Sequence, residues 1–254
     1  MLILLSPAKI QNFEKQNLIK TFTLPKFMHE AEQLISSMRN LSPSEISKLL
    51  SINSKLTELN YDRYFNWHLP FTLENAKQAA LVFDGEVFRG LNAPTFTDAD
   101  FEYAQQHLMI LSGLYGALRP LDLIQPYRLE ISSALVNEKG RNLYAFWQEK
   151  LTKHLFNELK KKHSNTVINL ASSEYFKAFN LKNTDVNVID VEFLEYKNDS
   201  LKPIVIYTKK ARGLMARFLI TNKIENPDDI KGFSDGGYWF NPQLSTESKL
   251  VFVR

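Results

Sequence analysis

The chain has 254 residues, of which 44% are hydrophobic and 23% are charged. This composition is sufficient for one substantial core and excludes an intrinsically disordered chain. The net charge of +3 does not identify a partner by itself, whereas the absence of cysteine excludes disulfides, thiolate metal sites and cysteine nucleophiles. We therefore predict a single domain over residues 1–254.

The chain begins with a short apolar run from Leu2 to Leu5, which Ser6 and Pro7 stop at once. A signal peptide needs a longer apolar stretch preceded by basic residues, and a membrane span needs about 20 apolar residues. Neither pattern occurs here, so we predict a cytoplasmic protein with no membrane partner. The same run is typical of a buried first strand.

Apolar spacing of three and four residues predicts several helices in the first half of the chain. Ser42, Pro43 and Glu45 form a capping box that marks the start of one of them. The predicted helices cover residues 26–39, 43–50, 54–65, 74–80 and 97–106. The predicted strands cover residues 1–5, 80–83 and 108–111, and residues 119–130 are predicted to be irregular.

The second half of the chain predicts a long amphipathic helix over residues 143–161 and a strand over 166–170, followed by a short helix. A β-hairpin with strands at 186–196 and 203–209 is predicted to turn at Asn198-Asp199. A helix over 212–222 and strands near Tyr238 and at 250–253 complete the chain. The order of elements predicts an α/β (mixed α+β) fold, in which a mixed sheet is flanked by helices.

Polar loops follow four of the predicted strands, at residues 6–9, 84–86, 112–116 and 171–174. In an open α/β sheet, ligands bind outside the carboxyl ends of the strands, where neighbouring loops converge. Small residues in such loops let a ligand approach backbone N–H groups. Each loop alone fits a simple turn, but the four together predict one pocket.

Basic residues concentrate near these loops. Guanidinium and ammonium groups beside flexible loops suit phosphate oxygens, whereas a solvated charged face is the alternative interpretation. The two interpretations make different structural predictions. Phosphate binding requires the basic clusters to lie beside the loops, whereas a solvated face does not. The candidate anion ligands in and near the loops are Lys9, Ser112, Gly113, Arg119, Arg128, Lys177, Lys209, Lys210 and Arg212.

A helix–break–helix pattern at residues 43–65 is a second candidate surface. In helix–hairpin–helix modules, N–H groups of the hairpin hold a backbone phosphate at the start of the second helix. Here Ser51 and Asn53 would supply such groups and Lys55 the positive charge. The usual Gly-hydrophobic-Gly hairpin is absent, so a plain αα-corner is the alternative.

Acidic and phenolic side chains in or near the same loops provide candidates for acid–base chemistry, namely Asp84, Glu86, Tyr115 and Glu174. Carboxylates beside cations allow a site to separate pKa values, although Asp84 and Glu86 also suit a helix-capping pair. The five histidines lack metal-ligand spacing, so we predict no metal and no cofactor. Direct iron binding, a further alternative, would need these carboxylates.

Seven segments of the chain, in order and at fitting spacings, resemble the YaaA family of bacterial peroxide-stress proteins. They are LLSPAK at 4–9, FDGEVFRGL at 83–91, LSGLYGALRPLD at 111–122, YRLE at 127–130, NLASSEY at 169–175, KARG at 210–213 and FSDGGY at 233–238. The resemblance covers essentially the whole chain. Ile131, which follows Glu130, is a conservative departure from the family pattern.

The resemblance implies a cytosolic protein that helps cells survive hydrogen peroxide. The family is associated with keeping unincorporated iron low, which limits hydroxyl-radical damage to DNA and protein. It is also associated with DNA binding through a positive cleft and a helix–hairpin–helix element, which would correspond to residues 43–65 here.

Two functions follow from these observations, and the sequence leaves the oligomeric state open. In the first, the protein binds double-stranded DNA through phosphate contacts that do not read sequence. In the second, an enzyme acts on a nucleotide-like or otherwise anionic small molecule, with Lys9, Asp84, Glu86, Tyr115 and Arg128 as its polar set. Convergence of these side chains in a closed, concave pocket favours the enzyme, whereas a long open groove favours DNA.

Overall fold

The computed structural model describes residues 1–14 and 19–254. The strands are β1 (Leu2–Leu5), β2 (Ile10–Gln11), β3 (Lys77–Gln78), β4 (Phe83–Asp84), β5 (Leu108–Ser112), β6 (Gly116–Leu118), β7 (Leu123–Ile124), β8 (Thr166–Leu170), β9 (Asn187–Lys197), β10 (Ser200–Lys202), β11 (Trp239–Phe240) and β12 (Lys249–Val253).

The helices are α1 (Met28–Arg39), α2 (Pro43–Leu50), α3 (Ser54–Asn66), α4 (Ala79–Val82), α5 (Glu86–Leu91), α6 (Asp98–His107), α7 (Leu143–Lys161), α8 (Ser173–Phe176) and α9 (Val205–Thr221). Short 3-10 turns lie at Ala93–Thr95, Pro227–Gly232 and Asp235–Gly237.

A mostly parallel sheet forms the centre of the molecule. Within the described ranges, eight strands make up this sheet in the order β11-β12-β9-β8-β1-β5-β6, and β10 pairs with β9. The central strands β12, β9, β8, β1 and β5 run parallel, and β11, β6 and β10 pair antiparallel. Helix α9 packs on β9 and β1, and α7 packs on β6. The predicted α/β fold with a mixed sheet and flanking helices is confirmed.

The central strands are apolar because both faces of the sheet are covered. All residues of β1 and β5 are buried, as expected for parallel strands between helices. Helix α7 contributes an apolar stripe with a spacing of four residues, formed by Leu143, Trp147, Leu151, Leu155 and Leu159. Since the central strands are parallel, the carboxyl ends of β1, β5 and β8 lie at the same edge of the sheet.

Side-chain caps mark the starts of α2 and α3, and the first of them was predicted. Ser42 and Glu45 form the expected capping box at α2, in which the Ser42 N–H donates to Glu45 Oε2 over 2.8 Å. The side chain of Asn53 caps α3 by accepting from the Leu56 N–H at 3.0 Å. These contacts satisfy N–H groups that have no partner inside a helix. The local sequence therefore determines where both helices begin.

The predicted helix at 74–80 and strand at 80–83 are both wrong. The apolar run from Ala79 to Val82 forms one buried helical turn between the short strands β3 and β4. The N–H groups of Ala79 and Ala80 donate to the carbonyls of Asp122 and Pro120, at 2.9 and 3.0 Å. A short apolar run does not distinguish a buried strand from a buried helical turn. The segment 119–130, predicted to be irregular, includes the short strand β7.

The predicted hairpin is confirmed in its first strand and its turn, but its second strand is wrong. Strand β10 ends at Lys202, and helix α9 begins at Val205 rather than at Arg212. The β-branched residues at 204–206 favour a strand locally. Packing of α9 against α5 overrides that preference, since tertiary contacts outweigh intrinsic propensities of a few tenths of a kcal/mol per residue.

The backbones of α5 and α9 touch through two glycines. A Cβ atom at Gly213 would lie 1.8 Å from the Val87 carbonyl oxygen, and one at Gly90 would lie 2.3 Å from the Lys210 carbonyl oxygen. No real side chain fits at such distances, so the close crossing of these helices requires both glycines.

We expect Gly213→Ala to destabilise the fold by roughly 3 kcal/mol or more, because the new methyl group must displace the backbone of α5. Urea unfolding followed by circular dichroism measures this loss.

The matched control is Gly232→Ala, since a Cβ there has no described atom within 4 Å. That variant should change the free energy of unfolding by less than about 1 kcal/mol. Equal losses in the two variants would contradict the steric explanation.

Candidate functional site

A concave pocket of about 370 Å³ opens at the carboxyl edge of the sheet, and we call it the strand-edge pocket. Its walls are the loops after β1 and β8, the start of α5, the extended segment 127–130 and one face of α9. Three of the four predicted loops therefore contribute to it. Its charged lining residues are Lys9, Asp84, Glu86, Arg128, Glu130, Glu174, Lys209 and Arg212.

Two serines join the loops at the base of the pocket. The Ser172 N–H donates to Ser6 Oγ at 2.9 Å, and the Ser6 hydroxyl donates to Ser172 Oγ at 3.2 Å. These residues directly follow Leu5 and Ala171, at the ends of the paired parallel strands β1 and β8. Small hydroxyl side chains at both positions hold the loops together without filling the pocket.

A buried carboxylate organises one wall. Arg128 Nε donates to Glu130 Oε1 at 3.1 Å, and Lys9 Nζ lies 3.3 Å from the same oxygen. The other oxygen, Glu130 Oε2, is buried and has no hydrogen-bond partner in the part of the chain that the structure describes. An unpaired buried acceptor costs about 1–3 kcal/mol, and more when it is charged.

Arg212 provides the complementary group on the opposite wall. Its Nε is buried and, among described residues, also lacks a partner. Burial lowers the pKa of Arg212, and the nearby Asp190 opposes that shift. Residues 1–14 and 19–254 contain three such orphaned side-chain atoms, of which two, on Glu130 and Arg212, belong to lining residues of this pocket. Both atoms are covered by the surrounding protein, so they lie inside the walls and not on the open surface of the pocket.

The carboxylates of Asp84 and Glu86 lie at the start of α5, and both are paired with one arginine. Arg89 Nε is 3.2 Å from Asp84 Oδ1, and Arg89 Nη1 is 2.8 Å from Glu86 Oε1. The hydroxyl of Ser132 donates to Glu174 Oε1 at 2.7 Å on another wall. These carboxylates line the pocket as predicted, and their existing partners hold them in place.

The loop at 112–116 supports the pocket from behind rather than lining it. Ser112 Oγ lies 2.7 Å from the Tyr127 hydroxyl and accepts from the N–H groups of Leu114 and Tyr115. A Cβ at Gly113 would lie 2.1 Å from the Leu129 carbonyl oxygen. Since Ser112 and Gly113 are buried under segment 127–130, the structure places both outside the pocket lining.

Tyr115 is likewise buried in the core. Its hydroxyl accepts from Trp67 Nε1 at 3.0 Å and from the Gln125 N–H at 3.2 Å. Burial raises the pKa of Tyr115, so this phenol stays protonated at neutral pH. The structure does not bring Tyr115 together with the pocket carboxylates.

Comparison with models of protein families matches residues 1–244 to the family described as peroxide stress protein YaaA. The chain belongs to this family. The matched region includes every wall of the strand-edge pocket and nearly all of the central sheet. The family resemblance seen in the seven sequence segments is thereby confirmed.

Three of the basic candidates lie away from the pocket in this member of the YaaA family. Arg119 Nη2 is 3.1 Å from Asp122 Oδ1 and donates to the Leu24 carbonyl oxygen at 3.3 Å. Lys177 follows α8 as its C-cap residue, and Lys210 lies within α9. Of the cluster at 209–212, the structure brings Lys209 and Arg212 to the pocket, because residues three apart share one helix face.

Helices α2 and α3 form the predicted helix–break–helix pattern, but its assignment as a helix–hairpin–helix module stays a prediction. The Ser51 and Ile52 N–H groups donate to the carbonyls of Lys48 and Ser47, which end α2. Tyr64 of α3 donates its hydroxyl to the Arg128 carbonyl oxygen, so the far end of α3 meets the pocket wall. Asn53, with neighbouring Lys55, lies about 16 Å along the helix from Tyr64 at 1.5 Å per residue.

Residues 1–14 and 19–254 contain no group of three His, Asp or Glu side chains placed to hold a metal ion. No helix in the same ranges is long and apolar enough to cross a membrane.

The sequence placed Ser6 and Ser172 in loops predicted to line the pocket without naming them as ligands, and it missed Glu130. All three fall within segments that carry the family resemblance. Glu130 follows Arg128 by two residues, and in an extended segment that spacing places both side chains on one face. The burial of its second oxygen depends on residues distant in the chain, so the sequence does not reveal it.

We expect Tyr115→Phe to lower the free energy of unfolding by about 1–3 kcal/mol, because the Trp67 and Gln125 N–H groups would lose their acceptor. Chemical denaturation measures this loss. Tyr196→Phe is the control, since that side chain is exposed and should tolerate the change within about 0.5 kcal/mol. Unchanged stability of Tyr115→Phe would contradict the structural role.

Proposed function

We propose that this member of the peroxide stress protein YaaA family acts in the cytoplasm as a DNA-binding protein that does not read sequence. In this proposal the rim of the strand-edge pocket contacts backbone phosphates of double-stranded DNA. The supporting observation is the convergence of Lys9, Arg128, Lys209 and Arg212 from three separate segments of the chain.

The four cations differ in how exposed they are, and we expect the exposed ones to contact DNA. The Lys9 side chain is 67% exposed and Lys209 is also exposed, so both ammonium groups are accessible to a large polyanion. Arg128 and Arg212 are less exposed and lie within the walls. Phosphate contacts at a rim supply affinity through counterion release, and they require no particular base sequence.

Helix α3 extends this surface on one side. Its Tyr64 end abuts Arg128, and the α2–α3 turn with Ser51, Asn53 and Lys55 lies at its other end. A duplex that lay along α3 would meet the pocket rim and the turn together. In the proposal, the helix–hairpin–helix contact therefore supplements the pocket contact.

We expect the double variant Lys9→Gln/Lys209→Gln to bind duplex DNA at least tenfold more weakly at about 0.1 M salt. The slope of log K against log salt should fall by about 2, because each lost phosphate contact removes about 0.9. Fluorescence anisotropy with a labelled duplex over a salt series measures both quantities.

The control is Lys177→Gln/Lys210→Gln, which removes the same charge from residues outside the pocket lining. This variant should keep the wild-type slope to within about one unit. Equal weakening in both variants, or none in the pocket variant, would contradict a DNA contact at the rim.

A second function, an enzyme acting on a nucleotide-like or anionic small molecule, is favoured by the pocket's concavity. Carboxylates and cations converge there from several segments of the chain. The pairing of carboxylates with cations suits acid–base chemistry.

Under this second function, we expect mononucleotides to bind without DNA, with Kd below about 1 mM, as for many enzyme substrates. Calorimetry should show binding lost in Arg212→Met and kept in Arg141→Met, which removes an exposed arginine elsewhere. Heat signals that inorganic phosphate reproduces fully would argue for a simple anion site and against a nucleotide substrate.

The proposal also includes the family's association with low unincorporated iron. It is supported by the family membership, and chelatable iron in peroxide-treated cells with and without the protein tests it. Equal iron levels in the two strains would remove this part of the proposal.

A further inference from the structure

The strand-edge pocket is lined by charges of both signs in equal number. Four basic and four acidic side chains line it, so its interior differs from a simple anion site. Carboxylates repel a phosphate group, and the volume of about 370 Å³ lies near the lower limit of ligand pockets, which span about 300–1,000 Å³. DNA can contact the rim, whereas the interior suits a small molecule that carries both charges.

Two cations on α9 are accessible to such a molecule. Lys209 is exposed, and among the described residues neither Lys209 nor Arg212 forms an ion pair. Arg212 is partly exposed, because only its Nε is covered by protein while Nη1 and Nη2 are accessible and have no described hydrogen-bond partner. Two neighbouring guanidinium N–H groups match the two oxygens of a carboxylate.

Three carboxylates of the lining each have one free oxygen. Asp84 and Glu86 each use one oxygen for Arg89. Glu174 uses one oxygen for the Ser132 hydroxyl. The second oxygen of each is accessible and accepts no hydrogen bond from the described residues. An ammonium group carries three donors and no acceptor, so it suits these oxygens.

We infer that the strand-edge pocket binds a free α-amino acid, an inference that deepens the proposed second function and rests on it. The carboxylate of the amino acid pairs with Arg212 and Lys209, and its ammonium group pairs with the free oxygens of the acidic residues, foremost Glu174. A mononucleotide provides only the negative charge and leaves these oxygens without a cation. The substrate of the proposed enzyme is therefore zwitterionic.

The pocket also offers apolar surface for the side chain of the amino acid. Pro7, Ala8 and Ile10 line it, and each of them is partly or largely exposed, Ile10 by 60%. An apolar ligand side chain would remove this surface from water. Leucine and phenylalanine should therefore bind more tightly than glycine.

The test begins with thermal unfolding of the full chain in the presence of each standard amino acid. At about 10 mM ligand, at least one should raise the Tm by roughly 2 °C or more, since a ligand of the native state stabilises it. Calorimetry then compares that amino acid with its N-acetyl and its α-amide derivatives, each of which lacks one charge. Both derivatives should bind at least about tenfold more weakly, because hydrogen bonds to charged groups contribute most.

The Glu174→Gln variant assigns the ammonium contact. It should bind the amino acid at least about tenfold more weakly, yet bind the N-acetyl derivative as wild type does, because that derivative has no ammonium group. The matched control is Glu192→Gln, since Glu192 pairs with Lys249 at 2.7 Å outside the pocket lining. The control should keep both affinities.

The outcomes separate this inference from the proposed functions. Binding of a mononucleotide without binding of any amino acid would overturn the inference and leave the second function intact. Equal affinities of wild-type protein for the amino acid and its N-acetyl derivative would also overturn it, whether or not a variant folds. Absence of binding by both ligand classes would remove the inference and the second function together, and duplex titrations at the rim test the first function independently.

Discussion

The contact between the backbones of α5 and α9 is the constraint on which the candidate site depends. Gly90 and Gly213 let the two helices approach until main-chain atoms meet, which no side chain would permit. This approach sets Asp84 and Glu86, at the start of α5, on the same cavity as Lys209 and Arg212 of α9. A larger distance between the two helices would move Asp84 and Glu86 away from Lys209 and Arg212. Two glycines, which have no functional side chain, therefore allow the charged groups of the pocket to come together.

Some polar atoms of the residues that line the pocket have partners within the protein, and others have none among the described residues. Glu130 uses one oxygen for Arg128 and Lys9, and Arg89 holds Asp84 and Glu86. The second Glu130 oxygen and the Arg212 Nε are left without described partners, so the fold carries the cost of burying them.

The sequence predicted the elements whose signals are local. The Ser42–Glu45 box, the apolar stripe of α7 and the polar loops after β1 and β8 all led to correct placements. The prediction was wrong where contacts between distant residues determine the structure. At 204–209, packing against α5 stabilises a helix in a segment that begins with β-branched residues. Ser112 and Tyr115 had the composition of a ligand loop, yet the 127–130 segment covers them. Their burial depends on contacts between segments that are distant in the chain, and local sequence patterns do not predict such contacts.

The separation of Gly90 and Gly213 along the chain also affects when the pocket can form during synthesis. During synthesis, β1, β5 and α7 emerge well before α9, and early segments can begin to pack as they appear. The pocket cannot be completed until residue 213 has left the ribosome, because Lys209 and Arg212 are on α9. Contacts between such distant residues form slowly. A nascent chain therefore has no complete charged cavity until most of its length has been synthesised.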